Sequence, residues 1–293
     1  MMSKKIEGIL TAIVTTFDDN GDFCPKRMRK QVQRQLTNGN SVFCNGTNGE
    51  FFVLSTQEKI KVTEVCVDEV AGRSPVMAHI GEISTRETIK LGKEIEKLGV
   101  DAVSVIAPYF IPVKQEELIY HYTAIADALT VPVFLYNIPA RTGNTIQPET
   151  AAKLAEHPNI LGIKDSAGSA ESLQAFLNVA NKIDGFDVLT GPDSLIYQGF
   201  VGGAVGSISG LANVAPGYIN AIWKNFKSGD LDKSKAAQDA VGDLRKNLYA
   251  TVFSPAAVKK ALTLMGEEVG VSRYPIMFSD EHIAAIKDIV SKL

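Results

Sequence analysis

Short apolar runs alternate along the chain with longer segments in which apolar residues recur with the period of a helix. Several runs, such as AVSVIA and VFLY, are apolar almost throughout, which is typical of parallel strands that are buried on both faces. The eight runs cover Ile9 to Thr16, Ser41 to Asn45, Pro75 to Ile80, Ala102 to Ala107, Pro132 to Asn137, Ile160 to Lys164, Val188 to Gly191 and Ala204 to Ser207. Because eight successive βα units favour closure over an open sheet, the pattern predicts an α/β fold, a (β/α)8 barrel.

Helix signals accompany this pattern and continue beyond it. The segment after the second run opens with Ser55, and Glu58 follows three residues later, which is a capping-box signature. From Tyr218 to Leu293 the sequence has only the helical period, and no linker or low-complexity tract precedes this region. We therefore predict a barrel domain over residues 1–220 and a C-terminal helical extension over residues 221–293.

Composition favours a globular protein that acts on a small molecule. The 293 residues suffice for one barrel, and 45% hydrophobic with 22% charged residues is an ordinary balance. A formal net charge of −3 argues against nucleic acid or an anionic membrane as the main partner. The apolar run after Lys4 and Lys5 contains Glu7 and several threonines, unlike a signal peptide, and no stretch approaches the ~18 apolar residues of a membrane span.

The cysteines point to a reducing compartment. Cys24, Cys44 and Cys66 are odd in number and form no C-x-x-C pair, so neither a disulfide framework nor a zinc clip is indicated. We therefore expect a soluble, cytoplasmic protein.

Barrels carry their chemistry where strands end, and two such ends hold reactive side chains. Lys164 closes the run ILGIK, where loss of solvation would favour the neutral amine that carbonyl attack requires. A solvated lysine at the barrel rim is the alternative, and spacing alone favours it. Tyr136 ends the preceding strand, where its phenol is suited either to proton relay or to simple core packing.

The stretch GTNGE after the second run is a second candidate site. Its glycines, with hydroxyl and amide side chains between them, would expose backbone N–H groups that bind a carboxylate. A tight turn before the helix near Ser55 explains the same residues equally well.

Other chemistries fit the sequence poorly. The four histidines show no metal-ligand spacing, and His121 and His157 fall on or beside predicted surface helices. Nucleophile-elbow, Walker A and dinucleotide-binding motifs are missing from the sequence. The segment from Gly185 to Asn220 contains neither Lys nor Arg, which disfavours a phosphosugar substrate.

Four motifs in this order, GTNGE, YNIPARTG, GIKDSAG and GPDSLIYQGFVGGAVGSISGLANVAP, carry a resemblance to a known family. The chain resembles the dihydrodipicolinate synthase/N-acetylneuraminate lyase family of pyruvate-dependent class I aldolases over essentially its whole length. The resemblance implies a TIM barrel with a helical C-terminal part. It also implies a homotetramer that works without metal or nucleotide, because the substrate keto acid is held as a covalent Schiff base.

The resemblance also implies roles for individual residues. Lys164 is similar to the Schiff-base lysine, and Tyr136 to the proton shuttle that orients the bound keto acid. Thr47 and Asn48 match the positions that bind the pyruvate carboxylate, and Thr47 would also pass protons to Tyr136. Three further positions match substrate-binding residues: Gly191 and Ile208 in the pyruvate pocket, and Arg141, which in the synthases grips the carboxylate of the second substrate.

Two departures from the family pattern bear on the second substrate. Asn48 stands where most synthases have a second threonine, and carboxylate binding should survive that change. Phe110 stands where the synthases have a tyrosine that completes the proton relay across a subunit interface. Phenylalanine transfers no proton, so either Tyr109 or water replaces that tyrosine, or the acceptor chemistry differs.

The resemblance leaves several activities open. The first is condensation of pyruvate with an aldehyde, as in a dihydrodipicolinate synthase, which Arg141 favours. The second is cleavage of a 2-keto-3-deoxy sugar acid, which Phe110 favours, or a related dehydration or deamination. N-acetylneuraminate cleavage fits less well because that subfamily generally lacks the arginine. A non-catalytic sugar-acid sensor is an alternative of another class, and Lys164, Tyr136 and Thr47 together argue against it.

Overall fold

The computed structural model describes residues 4–293. Eight parallel strands follow one another in chain order and close into a barrel, which confirms the predicted fold class. The strands are β1 Gly8–Ala12, β2 Ser41–Cys44, β3 Val76–His79, β4 Ala102–Ile106, β5 Val133–Asn137, β6 Ile160–Asp165, β7 Asp187–Thr190 and β8 Gly206–Ser209. The helices are α1 Pro25–Thr37, α2 Thr56–Val70, α3 Thr85–Glu96, α4 Gln115–Ala128, α5 Pro139–Thr142, α6 Pro148–Leu154, α7 Ala170–Ala180, α8 Ile196–Gly202, α9 Pro216–Lys227, α10 Leu231–Tyr249, α11 Ser254–Leu264 and α12 Asp280–Val290.

The strand bounds differ from the predicted ones for local reasons. β1 ends at Ala12, because the N–H of Val14 donates to the side chain of Asn213 at 3.0 Å instead of to a neighbouring strand. β8 starts at Gly206, because the N–H of Ala204 bonds to the carbonyl of Gly199 and closes helix α8. Both effects depend on hydrogen bonds that hydrophobic periodicity does not report.

The chain divides into two compact units, which are described separately. The first contains residues 4–7 and Pro75–Ile208, and the second contains Gly8–Ser74 and Ser209–Leu293. In the second unit, α9 packs against β1 and α10, and α11 packs against α12. The sequence region predicted to be helical therefore contains helices, whereas the division into domains at residue 220 stays a prediction.

Burial along the strands agrees with their apolar composition. Every residue of β4 and β5 is buried, as expected when both faces of a parallel sheet are covered. Within β6, Gly162 lies where a Cβ would collide with the Asp187 carbonyl oxygen and the Phe134 ring. Glycine therefore allows β6 to approach its neighbours closely, two residues before Lys164.

Two sequence expectations about helices are tested by the structure. The capping box at Ser55 is confirmed: its N–H donates to Glu58 Oε2 at 2.9 Å, and the Glu58 N–H donates to Ser55 Oγ at 3.2 Å. The expectation that His121 lies on or beside a surface helix is also confirmed, since the neighbouring Tyr120 on α4 is 72% exposed, but the His121 side chain itself is buried. His121 is on α4 but only 4% exposed, because it packs edge-on against Tyr122 and its Nδ1 lies 2.8 Å from Thr85 Oγ1. Between residues 4 and 293, no helix has the length and hydropathy needed to span a membrane.

Candidate active site

Lys164 and Tyr136 lie side by side at the carboxyl ends of two neighbouring strands. The two residues are in register on β6 and β5, so their side chains point to the same side of the sheet. Lys164 Nζ is 3.8 Å from the centroid of the Tyr136 ring, and the residues are 4% and 2% exposed. The interpretation of Lys164 as a solvated rim lysine is therefore wrong, and the amine and the phenol share one environment.

Asn137 and Asp165 support these two strand ends from the next position along each strand. Asn137 Nδ2 donates to Asp165 Oδ1 at 2.8 Å, and Asn137 Oδ1 accepts from the N–H of Ile146 at 3.1 Å. Burial raises the pKa of Asp165, although the hydrogen bond from Asn137 opposes the rise. The motifs gave neither residue a role, and only their adjacency to Tyr136 and Lys164 marks them in the sequence.

His79 is a further neighbour of Tyr136 that motif matching did not single out. It ends β3, is 1% exposed, and its ring meets the Tyr136 ring edge-on with centroids 5.9 Å apart. The Tyr136 ring therefore has the Lys164 amine over its face and the His79 imidazole in an edge-on contact. Spacing rules excluded His79 as a metal ligand and did not test it as an aromatic neighbour.

Gly191 follows directly after β7, and Ile208 is the third residue of β8. The N–H of Gly191 donates to the Asp165 carbonyl at 2.7 Å, and a Cβ at this position would collide with Ser166 Oγ. Ile208 is 1% exposed on β8. That these two residues line the pyruvate pocket stays a prediction.

The other acceptor-side candidates lie on helix α5 and on the loop after β4, and these two segments are linked to each other. Arg141 is exposed on α5, and Phe110 is 86% exposed in the loop after β4. Asn144, just after α5, donates from Nδ2 to the carbonyls of Pro108 and Ile111 at 2.7 and 2.9 Å. The side chain of Asn144 therefore connects the end of α5 to the loop after β4.

The conformation around Phe110 is unusual. Its φ of +77° is in the left-handed region, which an aromatic residue rarely adopts. Next to it, Tyr109 is half-buried, and burial together with the charge of Glu82 raises the pKa of Tyr109. The loop thus presents an exposed apolar ring and a phenol that holds its proton.

Thr47 and Asn48 lie in the second unit, in the turn that follows β2. Both are half-buried, the N–H of Glu50 donates to the Thr47 carbonyl at 3.1 Å, and Thr15 Oγ1 donates to the Gly49 carbonyl at 2.6 Å. The tight turn is therefore present. That it binds a carboxylate stays a prediction.

Gly210, after β8 in the same unit, lies against this turn. A Cβ at Gly210 would be 2.9 Å from Asn48 Nδ2 and 2.8 Å from the hydroxyl of Tyr249. The amide that replaces the usual threonine hydroxyl thus lies near Gly210, just after β8, and on the same side of Gly210 as the Tyr249 hydroxyl of α10. The motif GTNGE alone gave no indication of this neighbourhood.

Clusters of metal-ligating side chains are not found in the described part of the chain. Among residues 4–293, no group of three or more His, Cys, Asp or Glu side chains is placed to hold a metal ion. The expectation that the reaction uses neither metal nor cofactor stays a prediction.

A closed parallel barrel with a buried lysine beside a tyrosine at adjacent strand ends defines a class of barrel enzyme suited to Schiff-base chemistry. Residues 5–293 match the model of the dihydrodipicolinate synthetase family, and the chain belongs to this family. Its dihydrodipicolinate synthase members are lyases that condense pyruvate with an aldehyde through a Schiff base. The predicted family and enzyme class are thereby confirmed.

Similar proteins cover nearly the whole chain. The 4-hydroxy-tetrahydrodipicolinate synthase of Methanopyrus kandleri is 38% identical over 278 residues, which are 94% of this chain and 92% of that protein. The crystal structure of a dihydrodipicolinate synthase from Bacillus anthracis superposes with a TM-score of 0.93 at 31% identity, covering 99% of both chains. The chloride-inhibited synthase from Acinetobacter baumannii, complexed with pyruvate, gives 0.93 at 32% identity and 98% of both chains.

Proposed function

We propose that this chain condenses pyruvate with an aldehyde, or cleaves the corresponding 4-hydroxy-2-keto acid, through a Schiff base on Lys164. The observation that carries the proposal is the buried Lys164 amine, 3.8 Å from the Tyr136 ring centroid at neighbouring strand ends. Membership of a pyruvate-dependent family supplies the substrate class, and the pyruvate complex of the Acinetobacter baumannii relative supports the keto acid.

The proposed chemistry uses only groups of this chain and the substrates. The neutral Lys164 amine attacks the keto carbon of pyruvate, and loss of water leaves an iminium that withdraws electrons from the adjacent methyl carbon. That carbon loses a proton to give an enamine, which forms the new C–C bond with the aldehyde carbon. Water then hydrolyses the iminium, which releases the product and restores the amine.

Proton transfer and carboxylate binding are assigned to three other residues. Tyr136 moves protons during formation of the iminium, and Thr47 is assigned a catalytic role through its hydroxyl. Thr47 and Asn48 bind the pyruvate carboxylate through side chains and backbone N–H groups. Gly191 and Ile208 line the pocket beside the keto acid.

For the acceptor, we propose a dihydrodipicolinate synthase-like condensation with aspartate semialdehyde as the first candidate. It is supported by the names of the similar proteins and by the exposed Arg141, which is suited to an acceptor carboxylate. Cleavage of a 2-keto-3-deoxy sugar acid is the second candidate, because Phe110 lacks the relay hydroxyl. Steady-state rates with aspartate semialdehyde plus pyruvate and with 2-keto-3-deoxygluconate decide between the two.

Borohydride trapping tests the Schiff base directly. Pyruvate with sodium borohydride should add one reduced pyruvate to Lys164, as read by mass spectrometry of the intact chain and of its peptides. Lys164→Ala should show no adduct, and Lys182→Ala, at an exposed lysine, should be labelled like the unaltered protein. An unmodified Lys164 at saturating pyruvate would rule out the proposed function.

A non-catalytic sugar-acid sensor is the alternative of another class. A sensor would bind a sugar acid equally well with and without Lys164 and would show no pyruvate turnover. Turnover that is lost in Lys164→Ala, while a sugar acid still binds, would exclude it.

We also propose a cytoplasmic homotetramer that binds these small molecules and neither nucleic acid nor membrane. The support is the family resemblance and the net charge of −3.

A further inference from the structure

We propose that the buried ion pair between Glu50 and Lys259 is a positioning device that holds the turn Thr47–Glu50 in the conformation that binds pyruvate. This inference rests on the proposed function of that turn. Lys259 Nζ is 2.7 Å from Glu50 Oε1, and the two side chains are 2% and 1% exposed. Glu50 is the last residue of the GTNGE motif, whereas Lys259 is 209 positions away on helix α11.

Burial of both charges requires an explanation beyond stability. Removing two ions from water costs several kcal/mol per ion, and well-packed apolar residues of similar size often stabilise a fold as well or better. A buried pair is therefore weak evidence for stability. It does fix geometry, because each charge keeps its ionic partner only where the other one lies.

The backbone of Glu50 explains why this end of the turn needs an anchor. Glu50 has φ +56° and ψ 38°, a left-handed conformation that carries a steric cost for a residue with a Cβ. Its N–H closes the turn by donating to the Thr47 carbonyl at 3.1 Å. If the Glu50 side chain were released, this strained conformation would lose its support, and the N–H groups of the turn would change direction.

The second carboxylate oxygen of Glu50 is held independently of the lysine. Glu50 Oε2 accepts from the backbone N–H of Arg273 at 2.9 Å. The Arg273 side chain in turn contacts Glu58 Oε1 at 2.7 Å and donates from Nε to the Gly21 carbonyl at 2.6 Å. One carboxylate thus ties the turn to α11, to the segment before α12 and, through Arg273, to helix α2.

Both cations of this network also rest on one aromatic ring. Lys259 Nζ is 3.9 Å and the Arg273 guanidinium carbon 4.2 Å from the centroid of Phe17. A cation over an aromatic face is stabilised, most strongly when desolvated. Burial lowers the pKa of Lys259 to about 8 against the opposing effect of Glu50, so the ammonium still predominates near neutral pH. The site is therefore built to keep a charged lysine in one position.

A set of four variants tests the proposal. Lys259→Met removes the ammonium, Glu50→Gln removes the anion at nearly constant shape, and Glu50→Leu with Lys259→Met replaces the pair by apolar groups. Lys260→Met is the matched control, because it changes the net charge by the same amount as Lys259→Met. Lys260 is the half-buried neighbour of Lys259 on α11, and its ammonium group contacts Phe278. For each protein we would measure the thermal midpoint, kcat, KM for pyruvate, and the pyruvate concentration that half-saturates borohydride trapping.

The positioning role predicts a specific kinetic split. KM for pyruvate and the half-saturating concentration should rise about 10-fold or more in Lys259→Met, with a smaller loss in kcat at saturation. Glu50→Gln should be milder because it keeps an acceptor for the Arg273 N–H. The apolar double variant should recover thermal stability and still bind pyruvate weakly, and Lys260→Met should match the unaltered protein.

Two results would overturn the proposal: normal pyruvate affinity in the stable apolar double variant, or normal affinity in Glu50→Gln. If Lys259→Met does not fold, Glu50→Gln decides the outcome. Failure of the proposed function is distinguishable, because the unaltered protein would then form no adduct at Lys164. An adduct in the unaltered protein, with unchanged pyruvate dependence in the variants, rejects the positioning role alone.

Discussion

Tyr136 allows the proton-transfer assignment to be tested by removal of one oxygen atom. Tyr136→Phe keeps the buried ring against which Lys164 and His79 pack, so the barrel should stay folded. Loss of the phenolic proton should lower kcat by about 10²–10⁴-fold, which is the usual contribution of a general acid or base. The measurement is kcat together with the thermal midpoint. Tyr120→Phe, at a tyrosine that is 72% exposed, is the control, and an unchanged kcat in Tyr136→Phe would exclude a proton shuttle there.

His121 gives a pH dependence of stability with a definite sign. Burial lowers the pKa of His121 from 6.5 to about 4 in the folded chain. Between these two pH values the unfolded chain binds a proton that the folded chain excludes, so stability should fall as the pH falls from 6.5 towards 4. The loss from this group is at most about 3 kcal/mol.

His121→Gln removes this titrating group. In the variant, the free energy of unfolding should therefore fall less steeply as the pH is lowered. Urea unfolding over a series of pH values from about 4 to about 9 measures the effect. Above about pH 7 the two proteins should differ by a constant amount, since His121 is neutral in both states there. If the free energies of unfolding of the two proteins changed in parallel below pH 6.5, His121 would not be the group responsible for the loss of stability.

The sequence identified reactive residues better than it identified their environment. Lys164 and Tyr136 were found as strand-end residues, but strand spacing alone favoured a solvated lysine. Its burial depends on closure of the barrel around it, which no local pattern reports. Glu50 and Lys259 were missed for a related reason, because a charged residue in a motif or on a helix is usually exposed and their partnership spans 209 positions.

At the level of elements, the close approach of neighbouring strands at Gly162 predicts that alanine is tolerated much less well there than at Gly242 in helix α10. Gly162→Ala places a methyl group against the Asp187 carbonyl and the Phe134 ring and should destabilise the protein by about 1–3 kcal/mol through overpacking. Because β6 also carries Lys164, trapping of pyruvate should weaken as well. Urea unfolding and borohydride trapping measure the two effects.

Gly242→Ala is the matched control for this element. Gly242 lies inside helix α10, and a methyl group added there would meet nothing within 4 Å, so alanine should stabilise the helix by about 0.5–1 kcal/mol. Equal effects of the two substitutions would show that crowding at β6 is not what requires glycine.

Periodicity located all eight strands, and the errors lie at their ends. The end of β1 is set by the Asn213 side chain, 199 residues away from Val14, and the start of β8 by the end of helix α8. Such tertiary hydrogen bonds determine where the hydrogen bonding between strands ends, whereas apolar spacing predicts only that a strand is present. The capping box at Ser55 was predictable because its partners are three residues apart.

At the scale of the whole molecule, the homotetramer stays a prediction from resemblance, and one surface feature bears on whether copies of the chain meet. Phe110 and the adjacent Ile111 are 86% and 54% exposed, which places two large apolar side chains together on one loop. Exposed apolar patches of this kind often mark protein interfaces. The strained φ of +77° at Phe110 is also easier to understand if contact with another copy of the chain supports it.

Sedimentation equilibrium should therefore give a mass four times that of the 31.6 kDa chain. Ile111→Asp should shift the protein towards smaller species, because a buried unpaired carboxylate costs several kcal/mol. If the Phe110 loop completes the site of another copy, activity per chain should fall on dilution in step with dissociation, and more so in Ile111→Asp. Tyr120→Ser, which removes a different exposed aromatic side chain, controls for a general loss of surface apolarity. A fully active monomer at all concentrations would show that the loop serves only its own chain, and Tyr109 or water would then have to act in place of the missing relay tyrosine.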